Sequence, residues 1–600
     1  MKTLAKIASS GQVDMSCIAE RLEADLSSYL RKADHNLRVS ALSALATLVE
    51  TGRLAGDPEV LVKNVSGLIS DADVPLASSS IHVLCSLMSM RGKQSVEVVV
   101  HHAQPMVLAL IRSPLVQGTL AEPLQAFFSS LASLLTVKRC QELLALVEQI
   151  GAEPGAKQQV RKTAAKCIAS VCQSSKGKGS KSADYAARSV EAGSSGDGGD
   201  PGTVLALFCV AEIGRALDLA AIDGTSAVVL GCLESPSEGV RAAASYALGC
   251  LCSRSPDHYL PVVFEHTERK PKLGYLLLLS LKEVLASAGE LTADHVSRVR
   301  DFLLLRCETD EEAMRIICAE CLGHLVLLDP RNLVPELAQV CSSEVAERRE
   351  CCVAAYRDAV NSDRIAGHEE VVLGRGVLEA FLSRMGDTDP RVRKASILLL
   401  NVLLHAHIGA VGPLLPTSLS LLHKCFEFDP NSLREVMLGP FKQIVDDLLV
   451  VRRAAFECAL AAVNKCFDAI SPEADAFLDL VISGATDHYD ISKTSHLTLS
   501  DHYSMKMTCF GILSKLCEVC PAVCVKKASA ILPPLYKTLI YKLKSDAVKQ
   551  ETERLEEVQN ACMRCVKSLS RVPGMQDTEM FGKLMISFNR NEELLRKYRA

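Results

Sequence analysis

Along this chain apolar residues recur at three- and four-residue intervals, in runs broken by short polar turns. One unit keeps returning: a turn rich in Asp, Glu, Ser or Pro, then a small apolar residue, an arginine and an Ala/Leu-rich stretch. It reads "ADHNLRVSALSALATL" from Ala33, "SPSEGVRAAASYALGCL" from Ser235, "TDEEAMRIICAECLGHL" from Thr309, "DTDPRVRKASILLLNVLL" from Asp387 and "DDLLVVRRAAFECALAAV" from Asp446. Spacing of this kind puts the apolar residues on one helical face. The turn's Asp or Ser is suited to cap the helix, the arginine to reach back over the turn, and the small residues to admit a neighbouring helix.

The unit returns at variable intervals of about 40 residues, the period of HEAT-type helical pairs. Such a pair cannot bury its apolar face alone, so pairs stack into a solenoid with extended surfaces for partners. The predicted fold is therefore all-α, an ARM-type HEAT-repeat solenoid of roughly 13 helical pairs, with repeats over residues 1–173 and 203–425 and a distinct C-terminal region over 426–600. Two stretches break the rhythm. Residues 174–202, "SSKGKGSKSADYAARSVEAGSSGDGGDPG", are Gly/Ser-rich and read as a flexible loop, basic at its start and acidic at its end. The second is "LREVMLGPFKQIVDD", Leu433 to Asp447, whose Leu433, Val436, Met437 and Ile444 keep helical spacing around a central Gly439-Pro440. Proline there costs a continuous helix about 3 kcal/mol, so spacing alone describes a broken helix.

Composition narrows the reading. At 600 residues the chain exceeds one compact core, and 48% hydrophobic content with 4% aromatics and no Trp suits helix-on-helix packing better than sheets. A net charge of −5 on this length gives no reason to expect nucleic-acid binding. The 24 cysteines are scattered through apolar helical runs, which reads as reduced, intracellular core cysteine rather than a disulfide framework. The first residues hold no apolar run long enough for a signal peptide. Ala395 to Leu422 contains no Asp, Glu, Lys or Arg, yet its two His, one Asn and Gly-Pro-Leu-Leu-Pro break predict two buried helices, not a membrane span. The expectation is a soluble protein.

Candidate chemistry is sparse. Cys318/Cys321, Cys517/Cys520 and Cys562/Cys565 match the C-x-x-C spacing of zinc ligands. The same spacing is a helix face, each pair sits in an apolar run, and no knuckle glycines surround them, so core packing is expected; His324 adds no second ligand element. The triplets Asp487-His488-Tyr489 and Asp501-His502-Tyr503 lack a nucleophile in a strained turn, and no phosphate-cradling loop is present. Lys544 to Gln559 is a charged helix, a solvated face a partner could use. No catalytic residue, metal or cofactor is expected, which leaves an interaction scaffold. Alternatives of other kinds are a transport- or phosphatase-type HEAT scaffold and a thiol- or zinc-dependent enzyme using the C-x-x-C pairs.

Several stretches are specific enough to name a family. "LIRSPLVQGTLAEPLQAFF" (Leu110–Phe128), "SPSEGVRAAASYALG" (Ser235–Gly249), "YLLLLSLKEVLASAG" (Tyr275–Gly289) and "AECLGHLVLLDPRNLVPEL" (Ala319–Leu337) resemble successive HEAT repeats of the cullin-associated, neddylation-dissociated family. "REVMLGPFKQIVDD…RRAAFEC" and "LKSDAVKQETERLEEVQNACMR" resemble its C-terminal, TATA-binding-protein-interacting region. The resemblance implies a non-enzymatic regulator that wraps a cullin–RING ubiquitin ligase scaffold lacking its ubiquitin-like modifier. Such a regulator promotes exchange of substrate receptors by competing for the adaptor site at the cullin N-terminal end. It implies a β-hairpin over about 433–447, with Arg434, Glu435, Met437, Leu438, Gly439, Pro440, Phe441 and Lys442 as cullin contacts and Lys549, Glu553 and Glu557 as secondary ones. It also implies a monomer acting in cytoplasm and nucleus, without nucleic-acid or membrane partners. The similarity starts mid-solenoid, so roughly the family's N-terminal half, which holds the RING subunit, is expected to be absent, with weaker binding and less sensitivity to the modifier. The second DHY triplet, at 501, reads as an insertion relative to the family.

Overall fold

The recurrent polar turn ends one helix and starts the next, and its arginine does what the pattern predicts. In the computed structural model, which describes residues 16–52, 56–116, 120–175, 178–195, 201–287, 291–438, 441–486, 496–543 and 549–599, Arg241 Nη1 donates to the carbonyls of Ser235 (2.8 Å) and Pro236 (2.9 Å). Arg315 donates to the Thr309 carbonyl at 2.9 Å, and Arg349 to those of Ser343 and Glu344, both at 2.9 Å. In each case the guanidinium satisfies carbonyls that the turn leaves without helical partners. Asp34 and Asp389 cap their helices by accepting from the Leu37 and Arg391 N–H groups at 2.9 and 2.8 Å. Ser237 makes no such capping bond; there the arginine is joined by the Ser235 hydroxyl, which accepts from the Ser237 N–H at 3.2 Å.

The chain forms two units, Met1–His295 and Val296–Ala600. In the first, seven helices pack each against the next as a ladder: α1 (His35–Glu50), α2 (Val74–Arg91), α3 (Ala121–Leu134), α4 (Gln158–Ser174), α5 (Pro201–Gly214), α6 (Glu238–Arg254) and α7 (Gly274–Ala286). In the second, six do the same: α8 (Glu312–Val326), α9 (Ala346–Val360), α10 (Pro390–Ala406), α11 (Leu449–Ile470), α12 (His496–Val519) and α13 (Lys549–Ser570). Further helices lie between the rungs in sequence, giving the paired arrangement expected of HEAT repeats. Each rung buries one face; Leu42, Ile168, Leu248, Leu322, Val353, Leu400 and Phe456 are all at or near zero exposure.

Small residues set the rung spacing. A Cβ on Gly249 of α6 would lie 2.6 Å from the Ser280 carbonyl oxygen of α7, and one on Gly323 of α8 would lie 2.8 Å from the Ala355 carbonyl oxygen of α9. Both neighbours are backbone and cannot step aside alone. Gly323→Ala is therefore expected to destabilise the chain by about 1–3 kcal/mol through overpacking. Gly582→Ala, at a helical site with nothing within 4 Å, is expected to stabilise by about 0.5–1 kcal/mol from helix propensity. Urea midpoints of the two variants check the opposite signs.

Ion pairs join successive rungs of the second unit: Arg315 to Glu350 at 3.0 Å, Arg349 to Asp387 at 2.8 Å, and Arg391 to Glu347 at 2.7 Å. The Arg349–Asp387 pair is bidentate and mostly buried. Burial works against the Asp387 carboxylate, yet the Arg349 guanidinium and the Asp389 N–H hold it below its ordinary range.

Two expectations meet different fates. The charge-free stretch from Ala395 is two helical segments, Pro390–Ala406 and Ile408–Lys424, bent by 119° at the break, and no single described helix is long and apolar enough to cross a membrane. Residues 174–202, expected to be a flexible loop, instead contain a helix over Lys178–Ser195 that packs on α4 and α5. Its Ser182, Tyr185, Ala186, Ser189 and Val190 are buried, a stripe at helical intervals made largely of small residues. Reading Ser and Gly there as loop formers hid a helix that needs small residues to sit close to its neighbours. Residues 176–177 and 196–200 lie outside the described residues.

Candidate partner interface

The segment before α11 is not a simple turn. Here the chain forms an antiparallel pair, β1 (Leu433–Leu438) and β2 (Phe441–Asp446), in register from Leu433 opposite Asp446 to Leu438 opposite Phe441. It is the only sheet among the described residues. The broken helix that spacing alone describes is thus corrected to a hairpin, as the family resemblance implies. Gly439-Pro440 disfavours a continuous helix, and Val436, Phe441, Ile444 and Val445 favour strands.

The hairpin's base is built from the same arginine rule as the other repeats. Arg241, Arg315 and Arg349 each bond the residue six positions earlier; Arg452 does likewise, but meets the Asp446 side chain instead of a carbonyl. Arg452 Nη2 lies 2.7 Å from Asp446 Oδ2, with the side chains 1% and 0% exposed. Asp446 Oδ1 accepts from the Leu448 N–H at 2.9 Å, at the start of α11. The Ser432 hydroxyl, 2.7 Å from both Asp446 Oδ1 and the Asp429 carbonyl, shares its proton between them. The Arg452 guanidinium lies 5.2 Å from the centre of the Phe428 ring, a cation–π distance. The Asp447 N–H closes the base by donating to the Ser432 carbonyl at 3.2 Å. Asp446, Arg452 and Ser432 were not among the expected site residues, although the repeat unit that starts at Asp446 contains the first two.

Above this clamp the hairpin presents side chains to solvent. Met437 is 59% exposed, Arg434 pairs with Asp447 at 2.8 Å on the surface, and Glu435 is exposed. Leu433 and Val450, both exposed apolar residues at the base, were also missed by sequence reasoning. Gly439 and Pro440 lie outside the described residues; Leu438, Phe441 and Lys442 are placed by strand register alone. The secondary positions do not join this cluster. Lys549 and Glu553 pair at 3.5 Å on the exposed face of α13, with Glu557 exposed a turn further on. That helix is two rungs beyond α11, about 20 Å along the ladder at usual helix spacing.

The cysteine pairs occupy the core, as expected. Cys318, Cys321, Cys562 and Cys565 are fully buried, Cys517 is buried and Cys520 half-buried. Burial pushes the Cys318 thiol up to about 12 and raises those of Cys562 and Cys565, which opposes a nucleophilic thiolate. Among the described residues no three or more His, Cys, Asp or Glu are grouped to hold a metal ion. Asp487-His488-Tyr489 lies outside the described residues, while Asp501 to Tyr503 falls within α12.

Comparison with known proteins gives the hairpin a context. The family model described as TATA-binding protein interacting (TIP20) matches residues 410–500 and 497–589, so its first segment contains the hairpin. The chain is 32% identical to "Cullin-associated NEDD8-dissociated protein 1" of Arabidopsis thaliana, an alignment covering 100% of this chain and 49% of that protein. It is 30% identical to the protein of that name in Drosophila melanogaster, covering 99% and 48%, and 29% identical to "Cullin-associated NEDD8-dissociated protein 2" of Mus musculus, covering 99% and 47%. The chain spans about half the length of the curated relatives it matches. Among solved structures, yeast importin-β (Kap95p) aligns at 12% identity and a TM-score of 0.44, covering 96% of this chain and 71% of that one.

Proposed function

This chain is a homologue, along its whole length, of the cullin-associated NEDD8-dissociated proteins, and from that relationship we propose that it is a non-enzymatic regulator of cullin–RING ubiquitin ligases. It binds the N-terminal end of a cullin that lacks its ubiquitin-like modifier, competes with the substrate adaptor and so promotes exchange of substrate receptors. It works as a monomer in cytoplasm and nucleus, without nucleic-acid or membrane partners.

One observation supports this reading above the others: a hairpin built into the repeat turn, fixed at its base and carrying an exposed Met437 between charged neighbours. Apolar anchors with a charged rim are what dominate protein interfaces. A β-strand fixed before binding also gives up little conformational entropy on docking. The rival enzyme reading finds no support in the buried thiols.

The test is size-exclusion chromatography of the chain mixed with a purified cullin–RING complex, with and without the modifier on the cullin. Co-migration with the unmodified complex is expected, together with loss of that peak when adaptor is added in excess. Absence of any shift with the unmodified complex would sink the proposal.

A further inference from the structure

Four successive rungs of the first unit, α4 to α7, leave a groove of about 510 Å³ between them. Its apolar surface comes from Ala242, Leu279 and Ala286, with the buried Phe208 beneath them, and its charged edge from Lys162, Lys282 and Glu283. The acidic groups here are already engaged by the protein. The Tyr246 hydroxyl donates to Glu212 Oε1 at 2.6 Å and accepts from Arg215 Nη2 at 3.1 Å. Arg215 in turn pairs with Glu283, and lies 3.6 Å from Glu212.

Lys162 is different. Its ammonium sits 3.6 Å above the centre of the Tyr246 ring, and among the described residues no carboxylate lies within ion-pair distance of it. Burial lowers its pKa, with partial compensation from the more distant Glu283. The protein thus keeps a partly desolvated cation at the groove without giving it a carboxylate, a cost that a docked anion would offset. Of the charged residues that line the groove, Lys162 and Lys282 stand against Glu283 alone, whose carboxylate Arg215 already engages, an excess of positive charge beside an apolar floor.

We propose that this groove docks an acidic peptide segment of a partner protein, one carboxylate meeting Lys162 and an adjacent apolar side chain resting on Ala242 and Leu279. The apolar floor favours a peptide over a nucleic-acid backbone, whose phosphates call for a groove that is charged throughout and whose bases need free aromatic faces. The groove lies in a different unit from the hairpin, so the two sites are separable.

Phage-displayed random 12-residue peptides panned on the full chain test it. Enrichment of Asp or Glu within two residues of Leu, Ile or Phe is expected. A synthetic peptide of the enriched sequence, followed by fluorescence anisotropy, is expected to bind at least about tenfold more weakly to Lys162→Met. Lys282→Met, on the rim, is expected to weaken binding in the same direction, and keeps the test decisive should Lys162→Met misfold by circular dichroism. Lys549→Met, at a surface position of the second unit, and a chain lacking residues 433–447 should bind the peptide as the parent does. Enrichment without acidic residues, parental affinity in both folded groove variants, or tighter binding of single-stranded dT12 than of the peptide would overturn the proposal. None of these outcomes bears on the cullin reading, which rests on the hairpin.

Discussion

Arg452→Met is expected to release the hairpin from the solenoid while leaving the ladder folded. The substitution keeps the apolar stem of the side chain over Phe428 but strands the Asp446 carboxylate at 0% exposure with its charge partner gone. Removing one member of a buried pair costs about 3–5 kcal/mol, because the remaining charge stays desolvated. A repeat protein transmits such a loss mainly to its nearest neighbours, so the effect should concentrate in residues 432–452. Native-state hydrogen exchange reads it directly: amides of β1, β2 and the first turn of α11 should lose protection equivalent to about 3–5 kcal/mol, with those of α8 and α9 unchanged. Adding Asp446→Asn should restore part of the loss. A neutral amide tolerates burial better, and its oxygen can still accept from the Ser432 hydroxyl and the Leu448 N–H. A double-mutant cycle then isolates the pair's coupling. Unchanged exchange in Arg452→Met would mean that backbone pairing alone holds the hairpin.

The repeat architecture was legible because its signals are local. An arginine at a fixed distance from a polar turn satisfies that turn's carbonyls whatever lies elsewhere, so the roles of Arg241 and Arg315 are anticipated from spacing. The hairpin was not legible from spacing. Leu433, Val436, Met437 and Ile444 fit a helical face as well as a strand pair, and only Gly439-Pro440 counted against the helix; resemblance to a family decided it. The clamp follows the same local rule, since Asp446 precedes Arg452 by the same six residues as in the other turns, but its Asp side chain takes the place of a carbonyl and ties a buried base that spacing does not distinguish from an ordinary turn. Lys178–Ser195 failed for the opposite reason: close packing selected Ser and Ala for a helix face, and composition alone equates those residues with loops. The groove under Lys162 was beyond any reading of pattern, because its walls come from four rungs separated by more than a hundred residues of chain.

Met437→Glu is expected to abolish adaptor competition while leaving the fold intact. At 59% exposure Met437 contributes little to the protein's own packing, so circular dichroism and the exchange pattern of β1 and β2 should match the parent. In a complex the same side chain would become a buried anchor, and a carboxylate there must be desolvated without a partner. Losing a hot-spot anchor costs about 2 kcal/mol or more, roughly 30-fold in Kd. In a competition titration the variant should fail to displace adaptor from an unmodified cullin–RING complex at concentrations where the parent does so. Lys549→Ala should shift the same titration by less than about 1 kcal/mol, since its 3.5 Å pair with Glu553 is surface-exposed. Arg452→Met provides the link between base and tip. If the clamp holds the hairpin ready for its partner, that variant should also compete poorly even though Met437 is untouched, with the loss appearing chiefly as slower association because the binding-ready state is rarer. Parental competition by Met437→Glu would remove the hairpin from the interface. Poor competition by Met437→Glu with parental competition by Arg452→Met would keep the contact but deny that its pre-ordering matters.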